Sequence, residues 1–204
     1  MKKVLCTLVA MVGLSLPAGA AGLSKIYSYF PIGGKNLQEI ETELGKRGPQ
    51  LKGAGLRHPG ATQMEFTTTI AYAVGSRSCE VVKASVNVQA KIILPRWRQR
   101  AKSDNATRLV WDTLSADIKR HEETHVMIAK NHARDLEQAL MRIGRQPDCT
   151  VAEAKAKATT NRILALHDRA QNEFDRVEGI NFESRIIRLL HYRIERIEQG
   201  KLPG

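Results

Sequence analysis

The chain has 204 residues, of which 42% are hydrophobic and 26% are charged. This balance is enough for one domain with a buried core and excludes a disordered or collagen-like protein. The formal charge of +11 is spread along the chain among acidic residues, and only 5% of residues are aromatic, so we expect no nucleic-acid partner.

The N-terminus has the pattern of a secretion signal. Two lysines precede an apolar run at residues 4–16, and Ala18-Gly19-Ala20 forms an A-x-A cleavage site. The run is shorter than the roughly 20 residues that a membrane-spanning helix needs. We therefore expect residues 1–20 to be a cleaved signal peptide, which leaves a secreted or periplasmic protein at residues 21–204 with no stable membrane anchor.

Two cysteines remain after this cleavage, Cys79 and Cys149. In an oxidising compartment an even pair of cysteines is usually found joined. We therefore predict a Cys79–Cys149 disulfide. On the chain-entropy model, closing a loop of this length stabilises the fold by roughly 4 kcal/mol.

The N-terminal half reads as strands. Residues 26–30 predict a short strand and residues 36–44 a short helix, followed by a loop rich in glycine and proline at residues 45–62. Apolar residues then alternate from Met64 to Val74 and again from Val82 to Leu94, with a turn at residues 75–78. This pattern predicts an antiparallel hairpin with one solvated face, ending at Pro95, whose second strand would receive an extended peptide.

The C-terminal half has helical periodicity. We predict a long helix over residues 105–143 with a possible break at 113–115, a second helix over 151–177, an interruption at Glu178-Gly179, and a third helix over 182–199. Strands followed by helices define the α+β class. The expected architecture is one domain, in which the hairpin packs on the long helix and two helices follow.

The long helix contains the sequence His121-Glu122-Glu123-Thr124-His125, an H-E-x-x-H motif. At this composition it is expected by chance on the order of 0.01 times. Residues four apart lie about one helical turn apart, so both imidazoles can reach one Zn²⁺ at about 2.0 to 2.1 Å. Glu122 is then placed to take a proton from the attacking water as general base.

A third ligand is expected from the C-terminal third. His132 is excluded, because seven residues of continuous helix carry it about 10.5 Å beyond His125. We choose Glu178, because Gly179 beside it allows the backbone to turn the carboxylate toward the long helix. The alternatives left open are His167, Glu173, Asp175 and His191. Of these, His167 shares an apolar stripe and fits a core histidine better.

The sequence also resembles a bacterial family of predicted secreted zinc-dependent proteases, built on a domain of unknown function (DUF922). The resemblance rests on an ordered set of residues: Gly48-Pro49, Cys79, Leu94-Pro95-Arg96-Trp97, Trp111, the motif from His121 to His125, Cys149 and Phe174-Asp175. It implies a zincin-like metallopeptidase with His121 and His125 as ligands and Glu122 as base. The family pattern has His-Gly shortly after the aromatic-Asp pair, where this chain has Glu178-Gly179.

Our first hypothesis is therefore a secreted zinc metallopeptidase that hydrolyses a peptide or protein substrate. The alternative is a non-catalytic envelope protein in which zinc and the disulfide hold the fold and a basic surface binds an anionic partner. A third, metal-free interaction domain is the weakest of the three. Bound zinc together with hydrolysis separates the first hypothesis from the other two.

Overall fold

The computed structural model of the protein describes residues 22–50 and 57–202. The predicted signal peptide and residues 51–56 of the predicted loop lie outside this part of the chain. The described elements confirm the α+β class. In chain order they are β1 (Gly22–Ile32), α1 (Leu37–Arg47), β2 (Ala61–Gly75), β3 (Ser78–Trp97), a 3₁₀ turn (Arg100–Lys102), α2 (Asn105–Met141), β4 (Arg145–Gln146), α3 (Cys149–Ile180) and α4 (Phe182–Glu198).

The sheet has the order β1-β3-β2, and the short β4 adds to the first residues of β3. Strands β2 and β3 form the predicted antiparallel hairpin, joined through a turn between Gly75 and Ser78. Strand β1 pairs with β3 in parallel, from Gly22 opposite Asn87 to Ile32 opposite Trp97. From Asn87 to Ile93, β3 is paired on both sides. This part of the strand has no free edge, so the prediction that it receives an extended peptide is wrong.

The strand β3 is also longer than the sequence predicts. Its pairing with β1 continues past Pro95, which lies opposite Phe30, and ends at Trp97. The pairing with β2 stops at Ile93, so the far end of β3 is an edge on that side. A proline is tolerated at an edge, because its missing N–H would have no partner there.

A bulge near the hairpin tip changes which side chains point inward. The register steps from Ala71 opposite Lys83 to Tyr72 opposite Val81, which leaves Val82 without a direct partner. Val82, predicted on the apolar face, is 51% exposed, and Val81 is buried in its place. From Val86 onward the predicted alternation holds, with every second residue buried as far as Leu94.

The helix α2 lies along the inner face of β3. It begins at the N-cap Asp104, whose carboxylate accepts a hydrogen bond from the Thr107 amide at 2.8 Å. It has 37 residues and continues without the predicted break at 113–115. The core between helix and sheet consists of small and branched residues: Val86, Val88, Ala129, Ala133, Leu136, Leu140, Ala156 and Ile163.

One carboxylate is buried in this core. Glu137 is 8% exposed, and its Oε1 atom accepts a hydrogen bond from the Val86 amide at 2.7 Å. Val86 lies between Glu80, the last β3 residue paired with β4, and Asn87, the first paired with β1. The helix side chain therefore satisfies a backbone donor where the sheet has a gap in its ladder.

The helix α3 begins where the disulfide is formed. Cys79 in β3 and Cys149 at the start of α3 are joined, which confirms the predicted bond. Helix α3 then runs without interruption through Gly179 to Ile180, so the predicted break at Glu178-Gly179 is wrong, and Asn181 joins it to α4. No described helix combines the length and apolar composition needed to span a bilayer.

Candidate metal centre

The two motif histidines lie one turn apart on α2, and the structure brings their rings together. The Nε2 atoms of His121 and His125 are 3.0 Å apart, and the ring planes are nearly perpendicular, at 82°. Phe174 of α3 stacks on the His121 ring at 4.8 Å and meets the His125 ring edge-on at 5.1 Å. This packing holds the two Nε2 atoms against one another.

A carboxylate from α3 completes this donor group. Asp175 Oδ1 lies 3.2 Å from His121 Nε2 and 3.0 Å from His125 Nε2. Within the described residues, these three side chains are the one set of histidine, cysteine or acidic donors close enough to hold a metal ion, with all donor atoms within 4.8 Å. Asp175 was one of the alternatives that the sequence left open.

Glu178, predicted as the third ligand, takes a different place. Its Oε2 atom lies 3.5 Å from Nδ1 of His121, on the side of the ring away from the donor group. The same oxygen accepts a hydrogen bond from Arg120 and lies 3.3 Å from Nη2 of Arg185. The prediction assumed a helix end at Gly179, but α3 continues past it, so the backbone does not turn this carboxylate toward the donors.

Two arginines and two carboxylates form a compact ion cluster beside the donor group. Arg120 donates to Asp117 at 2.8 Å, and Nε of Arg185 is 3.2 Å from both oxygens of the same carboxylate. Burial raises the pKa of Glu178, but the hydrogen bond from Arg120 and the charges of both arginines outweigh it and lower the pKa overall. Glu178 is therefore held as an anion facing His121.

The other candidates lie outside the donor group. His167 is buried against Phe66, as its interpretation as a core histidine predicts, with ring centroids 5.0 Å apart. Glu173 forms an exposed ion pair with Arg176. His191 is exposed on α4. His132, excluded on distance, donates a hydrogen bond from Nδ1 to the backbone carbonyl oxygen of Ile128 at 2.9 Å.

Glu122 is buried beside the donor group, on the side of the first residues of β2. Its Oε2 atom accepts a hydrogen bond from the Thr62 hydroxyl at 2.8 Å. Burial raises the pKa of Glu122, and the Thr62 hydrogen bond together with the charges of the two histidines opposes the rise. A Cβ at Gly60 would lie 2.8 Å from Oε1 of Glu122 and 2.9 Å from Cγ2 of Ile118, so this close approach of the backbone requires glycine.

The electrostatics of the donor group favour positive charge. Burial raises the pKa of Asp175, but hydrogen bonds and charge from His121 and His125 pull it far below its usual value. Burial lowers the pKa of His125, but hydrogen bonds to Asp175 and Gln171 outweigh it and raise the pKa overall. A cation at this point, whether protons or a metal ion, is therefore stabilised by its surroundings.

The donor group opens into a cleft of about 600 Å³. Its walls come from four segments: residues 58–64 at the start of β2, the middle of α2, the end of α3 and the first turn of α4. Glu122 and Asp175 line it, and Phe182 lies on the α4 side. Three members of the ion cluster also line it: Asp117, Glu178 and Arg185. A ligand in this cleft would therefore reach the donor group and the buried carboxylate together.

Four functional candidates were not found from the sequence: Thr62, Gln171, Arg120 and Arg185. Thr62 precedes Glu122 by sixty residues, and no local pattern connects the two. Gln171 had a usable signal, because it lies one helical turn after His167 and one before Asp175, on one face of a helix that was itself predicted. Arg120 lies next to the motif, but Arg185, which binds the same two carboxylates, comes from α4.

A family model described as "Bacterial protein of unknown function (DUF922)" matches residues 27–183. Since these residues are more than half of the chain, the protein belongs to the DUF922 family. The matched region includes the hairpin, both motif histidines, Asp175 and Glu178. No curated protein and no solved structure is detectably similar to the chain.

Proposed function

We propose that the protein is a zinc-dependent metallopeptidase with His121, His125 and Asp175 as metal ligands. The observation that carries this proposal is the convergence of their three donor atoms, at separations of 3.0, 3.0 and 3.2 Å. Ligands at 2.0 to 2.1 Å from a tetrahedral zinc ion lie about 3.3 Å from one another. The donor group therefore has nearly the dimensions that zinc requires.

The hydrogen bonds of the two histidine rings also support a metal site. Nδ1 of His125 is 2.5 Å from the amide oxygen of Gln171, and Nδ1 of His121 faces Glu178. Because both neighbours are acceptors, each Nδ1 carries the hydrogen and each Nε2 is left with a lone pair. Three lone pairs then face one another, and this arrangement needs a cation or added protons among them.

The donor set and its surroundings favour a catalytic zinc ion over other metals and roles. Two histidines and one carboxylate leave a fourth position free, as in catalytic zinc sites, whereas structural zinc sites are closed by four protein ligands. The same donor set binds Fe(II) in oxygenases. Glu122 distinguishes the two, because hydrolysis requires a base beside the metal and Fe(II) oxygenation does not.

Zinc bound here would polarise a substrate carbonyl and lower the pKa of a water molecule. The protein's own residues have separate tasks. Thr62 holds Oε2 of Glu122, which leaves Oε1 to accept the proton of the attacking water. The protonated Glu122 then donates this proton to the leaving amine nitrogen as the peptide bond breaks. The raised pKa of Glu122 suits both the uptake and the release of the proton.

The sheet supports a peptide as substrate. The first residues of β2 form one wall of the cleft, and within the described residues the edge of β2 away from β3 has no strand partner. An extended peptide can add to such an edge through backbone hydrogen bonds. This role belongs to β2, the edge strand, and not to the central strand β3.

We further propose that the enzyme acts outside the cytoplasm. The Cys79–Cys149 disulfide supports this location, because such bonds persist mainly in oxidising compartments. The predicted signal peptide at residues 1–20 has the same implication.

The test is metal analysis of untagged protein, together with hydrolysis of a peptide library. We expect one zinc per chain, hydrolysis that ceases when zinc is removed, and a Glu122→Gln variant that keeps its zinc but loses hydrolysis. A protein without zinc would overturn the proposal. Zinc without hydrolysis of any peptide would favour the alternative, a zinc-stabilised binding protein.

A further inference from the structure

Gln171 lies between His125 of the donor group and the buried His167, and its side chain contacts both. It is half-buried on α3, and its amide meets three groups at once. Its Oε1 atom lies 2.5 Å from Nδ1 of His125. Its Nε2 atom lies 3.1 Å from the backbone oxygen of His125 and 2.8 Å from Nε2 of His167.

These contacts determine the orientation of the amide. The backbone oxygen of His125 only accepts hydrogen bonds, so the NH₂ group of Gln171 must face it. The reversed amide would place two oxygens about as close as the observed 3.1 Å contact, without a hydrogen between them. The oxygen of Gln171 must therefore face the His125 ring.

The amide orientation in turn determines the tautomer of His125. An amide oxygen can only accept, so Nδ1 of His125 carries the hydrogen, and in the neutral ring Nε2 keeps its lone pair, directed at the other donor atoms. The second hydrogen of the Gln171 amide goes to Nε2 of His167. The remaining nitrogen of His167, Nδ1, then donates to Asp168 at 3.1 Å.

We infer that Gln171 is a positioning residue, which fixes His125 as an Nε2 ligand and holds its ring in place. This inference rests on the proposed zinc site. Gln171 lies one helical turn before Asp175, so one face of α3 supplies both a ligand and the support of another ligand. Gln171 would thus be an outer contact, a residue that hydrogen-bonds a metal ligand without touching the metal. Removing such a contact typically weakens metal binding 10- to 100-fold.

The experiment compares three variants. Gln171→Met keeps the length of the side chain and removes its hydrogen bonds to His125 and His167. Gln171→Glu keeps an acceptor toward Nδ1 of His125 but loses both donors. Asn172→Met, an exposed neighbour on the same helix, is the matched control. Circular dichroism of each variant establishes that the fold is kept, and Gln171→Glu remains informative where Gln171→Met does not fold.

Two measurements are made on each variant. The first is the zinc dissociation constant by competition with a chromophoric chelator. We expect it to rise about 10- to 100-fold in Gln171→Met and less in Gln171→Glu, and to stay unchanged in Asn172→Met. The second is the ¹⁵N spectrum of the neutral His125 ring in metal-free protein. We expect the Nδ1–H tautomer in wild type and in Gln171→Glu, and a mixture of tautomers in Gln171→Met.

The two measurements separate this inference from the proposed function. If wild-type protein binds zinc and Gln171→Met binds it equally tightly, with the Nδ1–H tautomer retained, the role of Gln171 is overturned while the zinc site stands. If wild-type protein binds no zinc, the proposed function fails, and the spectrum of the metal-free ring still tests whether Gln171 determines the tautomer.

Discussion

The hydroxyl of Thr62 lies 2.8 Å from Oε2 of Glu122 and 3.0 Å from the backbone oxygen of the same residue. The edge strand β2 thus contacts the motif helix at the residue expected to carry the proton. A hydroxyl has one hydrogen to donate, and the ionised carboxylate is the stronger acceptor. Thr62 therefore restrains one oxygen of Glu122 and favours its charged form.

The first prediction concerns this contact. A Thr62→Val variant keeps the shape of the side chain and removes the hydrogen bond, so the pKa of Glu122, already raised by burial, rises further. The acidic limb of the pH profile of kcat/KM should move to higher pH. A hydrogen bond to a charged group contributes about 1.5 to 3 kcal/mol, so at pH values below the shifted limb kcat/KM should fall roughly tenfold or more.

Two control variants accompany this measurement. Thr62→Ser restores the hydroxyl and should restore the profile, whereas Thr67→Val, at an exposed position of the same strand, should leave it unchanged. Zinc content should be equal in all of them. An unshifted profile in Thr62→Val would mean that this hydroxyl does not act on the base.

The second prediction distinguishes the two carboxylates near His121. Asp175 lies against the Nε2 atoms of the donor group, and Glu178 lies on the Nδ1 side. Asp175→Asn should weaken zinc binding more than the roughly 10- to 100-fold typical of an outer contact, and Glu178→Gln should stay within that range. Zinc competition titrations of both variants provide the measurement.

The reverse ranking would restore the sequence-based choice of Glu178 as ligand. Glu173→Gln is a matched control, because this carboxylate forms an exposed ion pair with Arg176 away from the cleft. Its zinc affinity should equal that of wild type.

The sequence was most informative where the chemistry is local. The spacing of His121, Glu122 and His125 lies within one helix, so helical geometry alone places them together. The third donor comes from another helix, and its choice depended on where α3 ends. Gly179 suggested an end, but a single glycine in a long, otherwise favourable helix costs only about 1 kcal/mol, and packing of α3 against α2 outweighs that cost.

In the sheet, too, the sequence predicted local structure but not the contacts between distant segments. Alternation identified the hairpin and its buried residues from Val86 to Leu94. It could not identify β1 as a parallel partner of β3, because pairing of distant segments has no local pattern. That pairing makes β3 central and leaves β2 as the edge strand. A one-residue bulge was equally hidden, so Val82 was assigned to the wrong face.

The third prediction concerns pH. In metal-free protein the pKa of His125 is raised, so its contribution to stability is complete below its unfolded value of about 6.5 and is lost as pH rises through the folded pKa. The pKa of Asp175 is lowered, so its contribution is complete above about 3.8. Metal-free protein should therefore gain most from this pair between about pH 4 and 6.5.

Zinc should reverse the trend, because it binds the deprotonated ligands and stabilises the fold more as pH rises. Thermal unfolding at several pH values, with a chelator and with zinc, measures both effects. Asp175→Asn should flatten the metal-free profile. If the gain from zinc were the same in acid and at neutral pH, His125 would not be a ligand.

The fourth prediction concerns the buried Glu137. A Glu137→Leu variant leaves the Val86 amide without an acceptor, and an unsatisfied buried donor costs about 1 to 3 kcal/mol. Glu137→Gln retains a side-chain oxygen and should lose less. Urea unfolding measures the difference, and Glu41→Leu, at an exposed position of α1, should stay within about 0.5 kcal/mol of wild type. Equal stability of all three variants would show that water or another group satisfies Val86.

The fifth prediction concerns the disulfide. Cys79 is fully buried in β3, and Cys149 begins α3, so the bond joins the sheet to the helix that carries Asp175. It closes a loop of 70 residues that contains the whole of α2. Replacing both cysteines by alanine should lower the free energy of unfolding by roughly 4 kcal/mol on the chain-entropy model, measured by urea unfolding.

At zinc concentrations well above the dissociation constant, the variant without the disulfide should recover part of this loss, because zinc binds only the folded chain. Zinc that failed to stabilise the double variant, while still stabilising wild type, would mean that the disulfide is needed to assemble the donor group.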